Sequence, residues 1–313
     1  MPIRSLGNPS VRYNAVMSKT GNAQNVDAGA AYSGAGDATR GLFSGLYPDS
    51  NIIDYITIAS AGNASDFGDL TQNQQQAGAC ASATRGVWGG GFSSGNSNVI
   101  QYVTIASTGN ATDFGDLITA QHGVSGLSDV TRGVFCGGTQ DSTSMEYITI
   151  ASTGNAQDFG DSAAPGRNPV TCASQTRGII GGGNSNQIGY ITIQTLGDTT
   201  DFGDLNWTAQ YGAGGSNGTR GILTRANGYY DVDYITIAST GNGTDFGDLT
   251  NYGSNIQGMC ASDTRVVRGG GSSPNTNVMD YATIDTTGNF TDFGDLTTTG
   301  NSKSGLSNGH GGL

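Results

Sequence analysis

The chain has 313 residues, 53 of them glycine, and a formal net charge of −12. No stretch approaches the roughly 18 apolar residues of a membrane-spanning helix, and the acidic balance argues against nucleic acid, whose phosphates are bound by Lys and Arg. Residues 1–5 also lack the apolar core of a secretory signal, so the sequence predicts neither membrane insertion nor nucleic-acid binding.

A unit of 43 to 47 residues recurs along nearly the whole chain. Its first motif is Asp-Phe-Gly-Asp, with the first two residues at Asp66, Phe67, Asp113, Phe114, Asp158, Phe159, Asp201, Phe202, Asp245, Phe246, Asp292 and Phe293. Its second motif is Thr-Arg, with the arginines at Arg40, Arg85, Arg132, Arg177, Arg220 and Arg265. A period in the low to mid forties is typical of propeller blades, and a closed ring of repeats folds as one domain.

The two ends of the chain predict how the ring closes. Residues 1–12 form an N-terminal arm in this interpretation, and about 13–30 contain a worn third strand, a turn and the start of a fourth. Residues 303–313 resemble the first two strands of a unit, with His310 about where the repeat arginine would stand. Since closure removes exposed sheet edges, we expect these halves to pair as a seventh blade. The predicted fold is therefore all-β: a seven-bladed propeller of four-stranded antiparallel blades over residues 13–313.

Within a unit, four strands, a to d, follow from the pattern of residues 77–117. Strand a consists of small residues, which suits the crowded axis, and strand c has the β-branched alternation of a half-buried strand. The Gly109-Asn110 pair predicts a hairpin turn between strands c and d. Phe and Leu of strand d are expected to pack between neighbouring blades. Cys80, Cys172 and Cys260 share one position in strand a, which predicts buried thiols and not disulfides.

Glycine doublets or triplets end strand b, a tyrosine follows in strand c, and an aromatic residue closes the unit. The tyrosines are Tyr55, Tyr102, Tyr147, Tyr190, Tyr234 and Tyr281. This order resembles kelch-type propeller repeats, although kelch repeats usually close with Trp and this chain uses Phe. The wording of the unit is also similar to repeats in structural proteins of marine bacteriophages, especially cyanophages. That resemblance implies a virion component, on a tail, a fibre or the capsid surface, assembled in the host cytoplasm and without enzymatic activity.

The motifs that suggest chemistry are weak. Asp-Phe-Gly occurs in kinases, but the catalytic loop and nucleotide loop of that family are missing. His122 and His310 are the only histidines, and neither belongs to a recognisable nucleophile arrangement, so no catalytic residue and no cofactor are predicted. The repeated Asp residues are calcium ligands of the right type. Our preferred interpretation is that they cap turns or pair with the repeat arginines between blades.

The loops divide the disc into two faces. The a–b and c–d turns, on what we call the uniform face, recur almost unchanged. The b–c and d–a loops, on the variable face, differ in every unit. Because loops on a rigid scaffold commonly carry recognition, we expect binding by aromatic residues of the variable face, although loops that simply drift are the alternative. These residues are Tyr47, Trp207, Tyr211, Tyr229, Tyr230 and Tyr252.

The sequence therefore predicts a non-enzymatic structural and adhesion protein of a phage particle. Its expected partners are other virion proteins and, on the variable face, a host-surface glycan or receptor. A homo-oligomer would have to form through the disc, since no coiled-coil stalk is present. Two alternatives stay open: a soluble, lectin-like bacterial binding module, and a propeller that hydrolyses glycans.

Overall fold

The computed structural model describes residues 40–47, 50–139, 142–163, 166–209, 211–226, 228–251, 258–272 and 274–309, and over these residues the regular structure is entirely β. In chain order the strands are β1 (Arg40–Leu46), β2 (Ser50–Thr57), β3 (Ser65–Asp69), β4 (Gly78–Ala81), β5 (Arg85–Gly89), β6 (Val99–Thr104), β7 (Thr112–Asp116), β8 (Val124–Ser128), β9 (Arg132–Gly137), β10 (Ser144–Thr149), β11 (Gln157–Asp161), β12 (Val170–Ala173), β13 (Arg177–Gly181), β14 (Ser185–Thr192), β15 (Thr200–Ala209), β16 (Gly214–Ser216), β17 (Arg220–Thr224), β18 (Asp231–Thr236), β19 (Thr244–Asp248), β20 (Gly258–Ala261), β21 (Arg265–Gly271), β22 (Thr276–Thr283), β23 (Thr291–Asp295) and β24 (Ser304–Ser307).

These strands form six four-stranded antiparallel sheets, which are the blades of a β-propeller. Blade 1 has the order β24-β1-β2-β3, and blades 2 to 6 each use four consecutive strands, from β4–β7 to β20–β23. The innermost strands β24, β4, β8, β12, β16 and β20 each contact the innermost strands of both neighbours. The ring is therefore closed, and the predicted propeller of four-stranded blades is confirmed.

The predicted number of blades is wrong: the described chain has six, not seven. The prediction paired the C-terminal residues 303–313 with about 13–30, and the latter lie outside the described residues. The structure gives the C-terminal strand β24 another partner. It pairs with β1, from Gly41 opposite Ser307 to Ser44 opposite Ser304, and so supplies strand a of blade 1. Blade 6 then meets blade 1 directly, because the N–H of Gly62 donates to the carbonyl of Phe293 at 2.7 Å. A seventh blade has neither an inner strand nor a place in this ring.

The Asp-Phe-Gly-Asp motif joins each blade to the next. In blade 1 the carbonyl of Phe67 accepts the N–H of Gly109, at 2.8 Å, from the c–d turn of blade 2. The N–H of Asp69 donates to the side-chain oxygen of Asn110 in the same turn, at 3.0 Å. The intervening Gly68 has φ +146°, and an added Cβ would lie 2.5 Å from the carbonyl oxygen of Gly109. The repeated glycine is thus required by a close backbone approach, and the turn asparagine is a cap across the interface.

Each repeat arginine also crosses an interface. Its Nη1 donates to the carbonyl of an isoleucine in the next blade, as Arg132 does to Ile193 at 3.0 Å. Its guanidinium lies over the tyrosine of its own blade, with Arg132 Cζ 4.4 Å from the ring centroid of Tyr147. Tyr147 in turn meets Phe159 edge-on at 6.2 Å between ring centroids. Arg265 closes the ring by donating to the Ile58 carbonyl of blade 1 at 3.0 Å.

The predicted pairing of the repeat arginines with the repeated aspartates is therefore wrong. The bond between blades is charge-assisted, as expected, but its acceptor is a backbone carbonyl. Within the described residues only Arg225 with Asp231 and Arg268 with Asp280 form ion pairs. The first Asp of each motif is exposed to solvent, so these carboxylates contribute charge to the surface and not to the interface.

Small residues near the axis let the blades approach closely. The thiols of Cys80, Cys172 and Cys260 contact glycines of the following blade, respectively Gly133, Gly221 and Gly41. All four cysteines are buried and free, which confirms the prediction for the three in strand a, and the fourth, Cys136, lies in β9. Burial raises the pKa of Cys136 and of Cys172 to about 12, so these thiols stay protonated and serve as packing groups.

Candidate binding site on the variable face

The propeller axis is nearly filled. Side chains and backbone of all six blades surround a space of about 50 Å³, which has room for only a few water molecules. Hydroxyl groups of the inner strands tie neighbouring blades here: Thr171 donates to the carbonyl of Gly126 at 2.7 Å, and Ser307 to that of Ala261 at 2.6 Å. The axis is thus a plugged core, and ligand space lies at its ends.

At the variable face, backbone hydrogen bonds between described residues of five blades form part of a ring around the axis. A residue one to three positions before strand a has a left-handed conformation in five blades, with φ between 52° and 74° for Ser302, Gln76, Gly123, Asn168 and Tyr211. The N–H of Gln76 donates to Ser302, that of Gly123 to Gln76, that of Asn168 to Gly123, and that of Tyr211 to Asn168, at 2.7 to 3.3 Å. Four of these residues are not glycine, so their conformation carries strain that the ring of bonds offsets. Their side chains are thereby fixed around the axis.

A depression of about 360 Å³, which we call the axial mouth, opens above this ring. It is lined by Tyr47, Gln75, Gln76, Phe92, His122, Tyr211, Asn301 and Ser302. The b–c loops form its wall because they pair with the d–a loops: Tyr47 bonds to Asn301 and Phe92 to Gln75 through the backbone. Its size and its mixture of aromatic rings with amides are those of a small-ligand site.

One wall of the axial mouth carries a polar network. His122 accepts a bond from Nη2 of Arg167 at Nε2, and its Nδ1 lies 2.7 Å from the side-chain oxygen of Asn96. The ring therefore donates from Nδ1, which fixes one neutral tautomer. Burial and the charge of Arg167 lower the pKa of His122. Phe92 packs edge-on against the imidazole at 5.3 Å, which adds to its burial.

A second depression lies at the rim between blades 4 and 5. It is lined by Asn206, Trp207, Arg225, Asp231, Asp233, Gly243, Thr244 and Asp245. In the other five blades, the position of Arg225 is a glycine with φ between 71° and 84°. Arg225 does not have a positive φ, so the b–c loop of blade 5 follows a different path. Its guanidinium instead lies 3.4 Å from the ring centroid of Tyr229 and pairs with Asp231 at 3.3 Å.

The structure separates the six aromatic residues predicted to bind. Tyr47, which is 53% exposed, and the half-buried Tyr211 lie together at the axial mouth. Tyr229 and Tyr230 are exposed at the rim of blade 5. Tyr252 lies outside the described residues.

Trp207 is not an exposed loop residue as predicted, because it is buried between blades 4 and 5. The cause is the length of β15, which continues to Ala209, whereas the other outer strands end at the motif aspartate. The extra strand residues keep the alternation, so Leu205, Trp207 and Ala209 share the buried face.

Sequence analysis missed Phe92, Arg167 and the role of His122. Each stands in a variable loop, and none of the three residue types recurs at its position in the other units. One signal in the sequence could have singled out Arg167. In blades 2 to 4, it is the only Lys or Arg that is not a repeat arginine. The pairing of b–c with d–a loops, which brings the three together, is not encoded in the repeat.

Comparison with known proteins finds no family whose model matches the chain and no curated protein with a similar sequence. Among the described residues, no cluster of three or more His, Cys, Asp or Glu side chains is arranged to hold a metal ion. The same part of the chain has no helix long and apolar enough to span a membrane.

Proposed function

We propose that this protein is a non-enzymatic structural and adhesion component of a phage particle, in which the variable face binds a ligand and the rest of the disc is the scaffold. The observation that supports it best is the axial mouth: this depression of the variable face lies above strained residues of five blades that are bonded to one another. Strain of this kind is commonly held at binding and active sites.

The chemistry of the mouth favours binding over catalysis. His122 is the only histidine within the described residues, and both of its nitrogens are already engaged, by Asn96 and by Arg167. A general base needs a free nitrogen within reach of substrate. Tyr47, Phe92 and the neighbouring amides instead provide apolar surface with hydrogen-bonding groups at its edge, which suits a glycan or a protein loop.

Assignment to a virion rests on the similarity of the whole repeated sequence to repeats in phage structural proteins. Assignment to the kelch-like group rests on the order of glycine doublet or triplet, tyrosine and closing aromatic residue within the unit. The closed ring is compatible with both, since a disc whose blades are bonded to one another around a nearly filled axis is a durable building block. In this proposal the rim and the uniform face dock to other virion proteins, and the axial mouth points to the host.

The test has two parts. Antibody labelling of purified particles should find the chain on the virion surface, and its absence from particles would refute the virion assignment. Tyr47→Ala should reduce ligand or host-cell binding by the isolated protein about tenfold while leaving the denaturation midpoint unchanged, since Tyr47 is more than half exposed. Ser94→Ala, in an adjacent loop outside the mouth, is the matched control. Equal binding by both variants would exclude the axial mouth.

The second candidate is a soluble lectin-like module, favoured by the same pairing of exposed tyrosine with amide side chains at the mouth. It predicts glycan binding by the isolated protein together with absence from particles. The two candidates are therefore separated by the particle measurement alone.

A further inference from the structure

We propose that the depression at the rim between blades 4 and 5, which we call the rim depression, is a second binding site and takes a neutral saccharide through neighbouring hydroxyl groups. The side chains that hold it in this proposal are Asn206, Arg225, Asp231 and Asp245, all of which line the depression. The inference goes beyond the proposed function, which places ligand binding at the axial mouth, and it does not depend on that site.

Two departures from the repeat, in opposite directions, create the rim depression. Blade 5 has Arg225 where the other five blades have a left-handed glycine. It has Gly243 where the other five have a side chain, namely Ala64, Ala111, Ala156, Thr199 and Phe290. A Cβ added to Gly243 would lie 2.7 Å from Oδ2 of Asp233, so glycine keeps this side of the depression open. A cation is thus added and filling volume removed at a single interface, around a space of about 470 Å³.

The acceptors of the rim depression are fixed in place and accessible. Asn206 donates from its backbone N–H and from Nδ2 to the two carboxylate oxygens of Asp233, at 2.9 Å each. Nδ2 also donates to the carbonyl of Gly243 at 3.3 Å, so the amide is oriented. Asn206 is exposed, and its Oδ1 has no donor within the described residues. The carboxylate of Asp245 is exposed as well and makes no hydrogen bond within the same part of the chain.

The donor of the rim depression is Arg225. Its Nη1 bonds to Oδ2 of Asp231 at 3.3 Å, and its Cζ lies 3.4 Å from the ring centroid of Tyr229. Nε and Nη2 have no hydrogen-bond partner among the residues that the structure describes. The side chain is 23% exposed, and that of Asp231 is 48% exposed. The guanidinium is therefore oriented by an acid and a ring, and it keeps N–H groups for a ligand.

This arrangement selects hydroxyl groups. Because a hydroxyl both donates and accepts, two neighbouring hydroxyls can accept from Arg225 while they donate to Asp231 or Asp245. An acidic ligand is disfavoured, since the acids that line the depression outnumber its arginine three to one. A basic side chain would leave the donors of Arg225 unused and would lie beside a like charge. Tyr229, which is 46% exposed, adds apolar surface at the edge, where the C–H face of a sugar ring can pack.

The experiment measures saccharide binding to the whole protein by ligand-observed NMR titration. The neutral probes are lactose, mannotriose and N,N′-diacetylchitobiose, and 3′-sialyllactose is the acidic counterpart of lactose. We expect at least one neutral probe to bind, because the volume and the mixed donors and acceptors are those of a small-ligand site. The acidic probe should bind no more tightly than lactose, since the carboxylates of the depression repel it.

Matched variants locate the site. Asp245→Ala should weaken binding about tenfold, because it removes a charged acceptor. Asp292→Ala is its control: it is the same repeat position in blade 6, equally exposed and with the same loss of charge, and affinity should stay within about twofold. Arg225→Gln should also weaken binding about tenfold by removing the guanidinium donors. Tyr47→Ala, at the axial mouth, should leave binding of these probes unchanged.

Several results would overturn the inference. They are no binding of the three neutral probes by protein that is folded by circular dichroism, tighter binding of 3′-sialyllactose than of lactose, and equal losses in Asp245→Ala and Asp292→Ala. A loss in Tyr47→Ala with none in Arg225→Gln would move the saccharide to the axial mouth. Tighter binding of a hexalysine peptide than of every neutral probe would replace the saccharide by a basic protein partner. If Arg225→Gln does not fold, the two aspartate variants decide the question.

Discussion

The uniform and variable faces of the disc use the same repeated strands for opposite purposes. On the uniform face, several repeated residues contact a neighbouring blade, as Gly68, Asn110 and Arg132 do. On the variable face, one position can be a left-handed glycine in five blades and Arg225 in the sixth, with the loop rebuilt around it. Sameness along this chain therefore follows the contacts that are repeated between blades, and difference is concentrated in the loops of the variable face.

This contrast changes how the repeated residues are interpreted. Six copies of an Asp-Phe-Gly-Asp motif suggest chemistry, but the phenylalanine is buried packing, the glycine permits close approach and the first aspartate faces solvent. The chemically unusual groups, Arg167 and His122, occur once each and on the other face. In a repeat protein, the departures from the repeat are the better guide to ligand binding.

The largest expected effect is at the repeated glycine of strand d. Gly68→Ala would place a methyl group 2.5 Å from the Gly109 oxygen in a conformation that favours glycine, with φ +146°. We expect the free energy of unfolding to fall by more than about 3 kcal/mol, measured by urea denaturation. Gly95→Ala is the control on the variable face, because nothing lies within 4 Å of its added Cβ. Its stability should change by less than about 1 kcal/mol.

Similar losses of unfolding free energy in both glycine variants would contradict the proposed difference between the two faces. It would mean that the loops of the variable face are held as tightly as the interfaces between blades. A small loss for Gly68→Ala alone would show that neighbouring blades can separate slightly without unfolding.

The next effect is at the repeat arginine. Arg132→Ala removes the bond to the Ile193 carbonyl and the stacking on Tyr147, and we expect a loss of about 2–4 kcal/mol in unfolding free energy. Ligand binding at the axial mouth should not change, since Arg132 lies at the opposite face. Arg132→Lys keeps the charge but not the planar donor, so a smaller loss is expected. Lost binding with intact stability would contradict this division between the faces.

The propeller and its two faces could be predicted from sequence because period, alternation and turn chemistry are local properties. The number of blades could not, because residues 303–313 fit two partners by pattern alone, and the pairing with β1 is a contact between distant parts of the chain that the pattern does not encode. The acceptor of the repeat arginines was missed for a similar reason: charge favours an aspartate, whereas the packed geometry presents the carbonyl of an isoleucine. Burial of Trp207 depended on the extra length of β15, which the motif does not encode.

A further repeated contact between blades was also missed, and its natural variation provides a sharper test. In five blades, the side chain before the repeat tyrosine of strand c accepts an N–H that follows strand d of the preceding blade. Glu146 accepts from Ile118 at 2.8 Å, and Gln101 accepts from Thr71 at 2.6 Å in the equivalent place. An acid and an amide thus serve the same interface, so the bond and not the charge is required.

Glu146→Gln should therefore be the mildest change. Its free energy of unfolding should lie within about 1 kcal/mol of that of the unaltered protein at pH 7, whereas Glu146→Ala should cost about 1–2 kcal/mol by removing the acceptor.

Burial raises the pKa of Glu146 above its ordinary 4.5, so the folded state holds this proton to a higher pH than the unfolded state does. Its contribution to stability is present below pH 4.5 and is lost as pH rises through the raised value. Glu146→Gln should flatten that part of the stability profile, measured by urea denaturation from pH 4 to pH 7. An unchanged profile would show that the Glu146 carboxyl is no better protonated in the folded protein, and that Asp54 and Asp263, whose pKa values burial also raises, account for the slope.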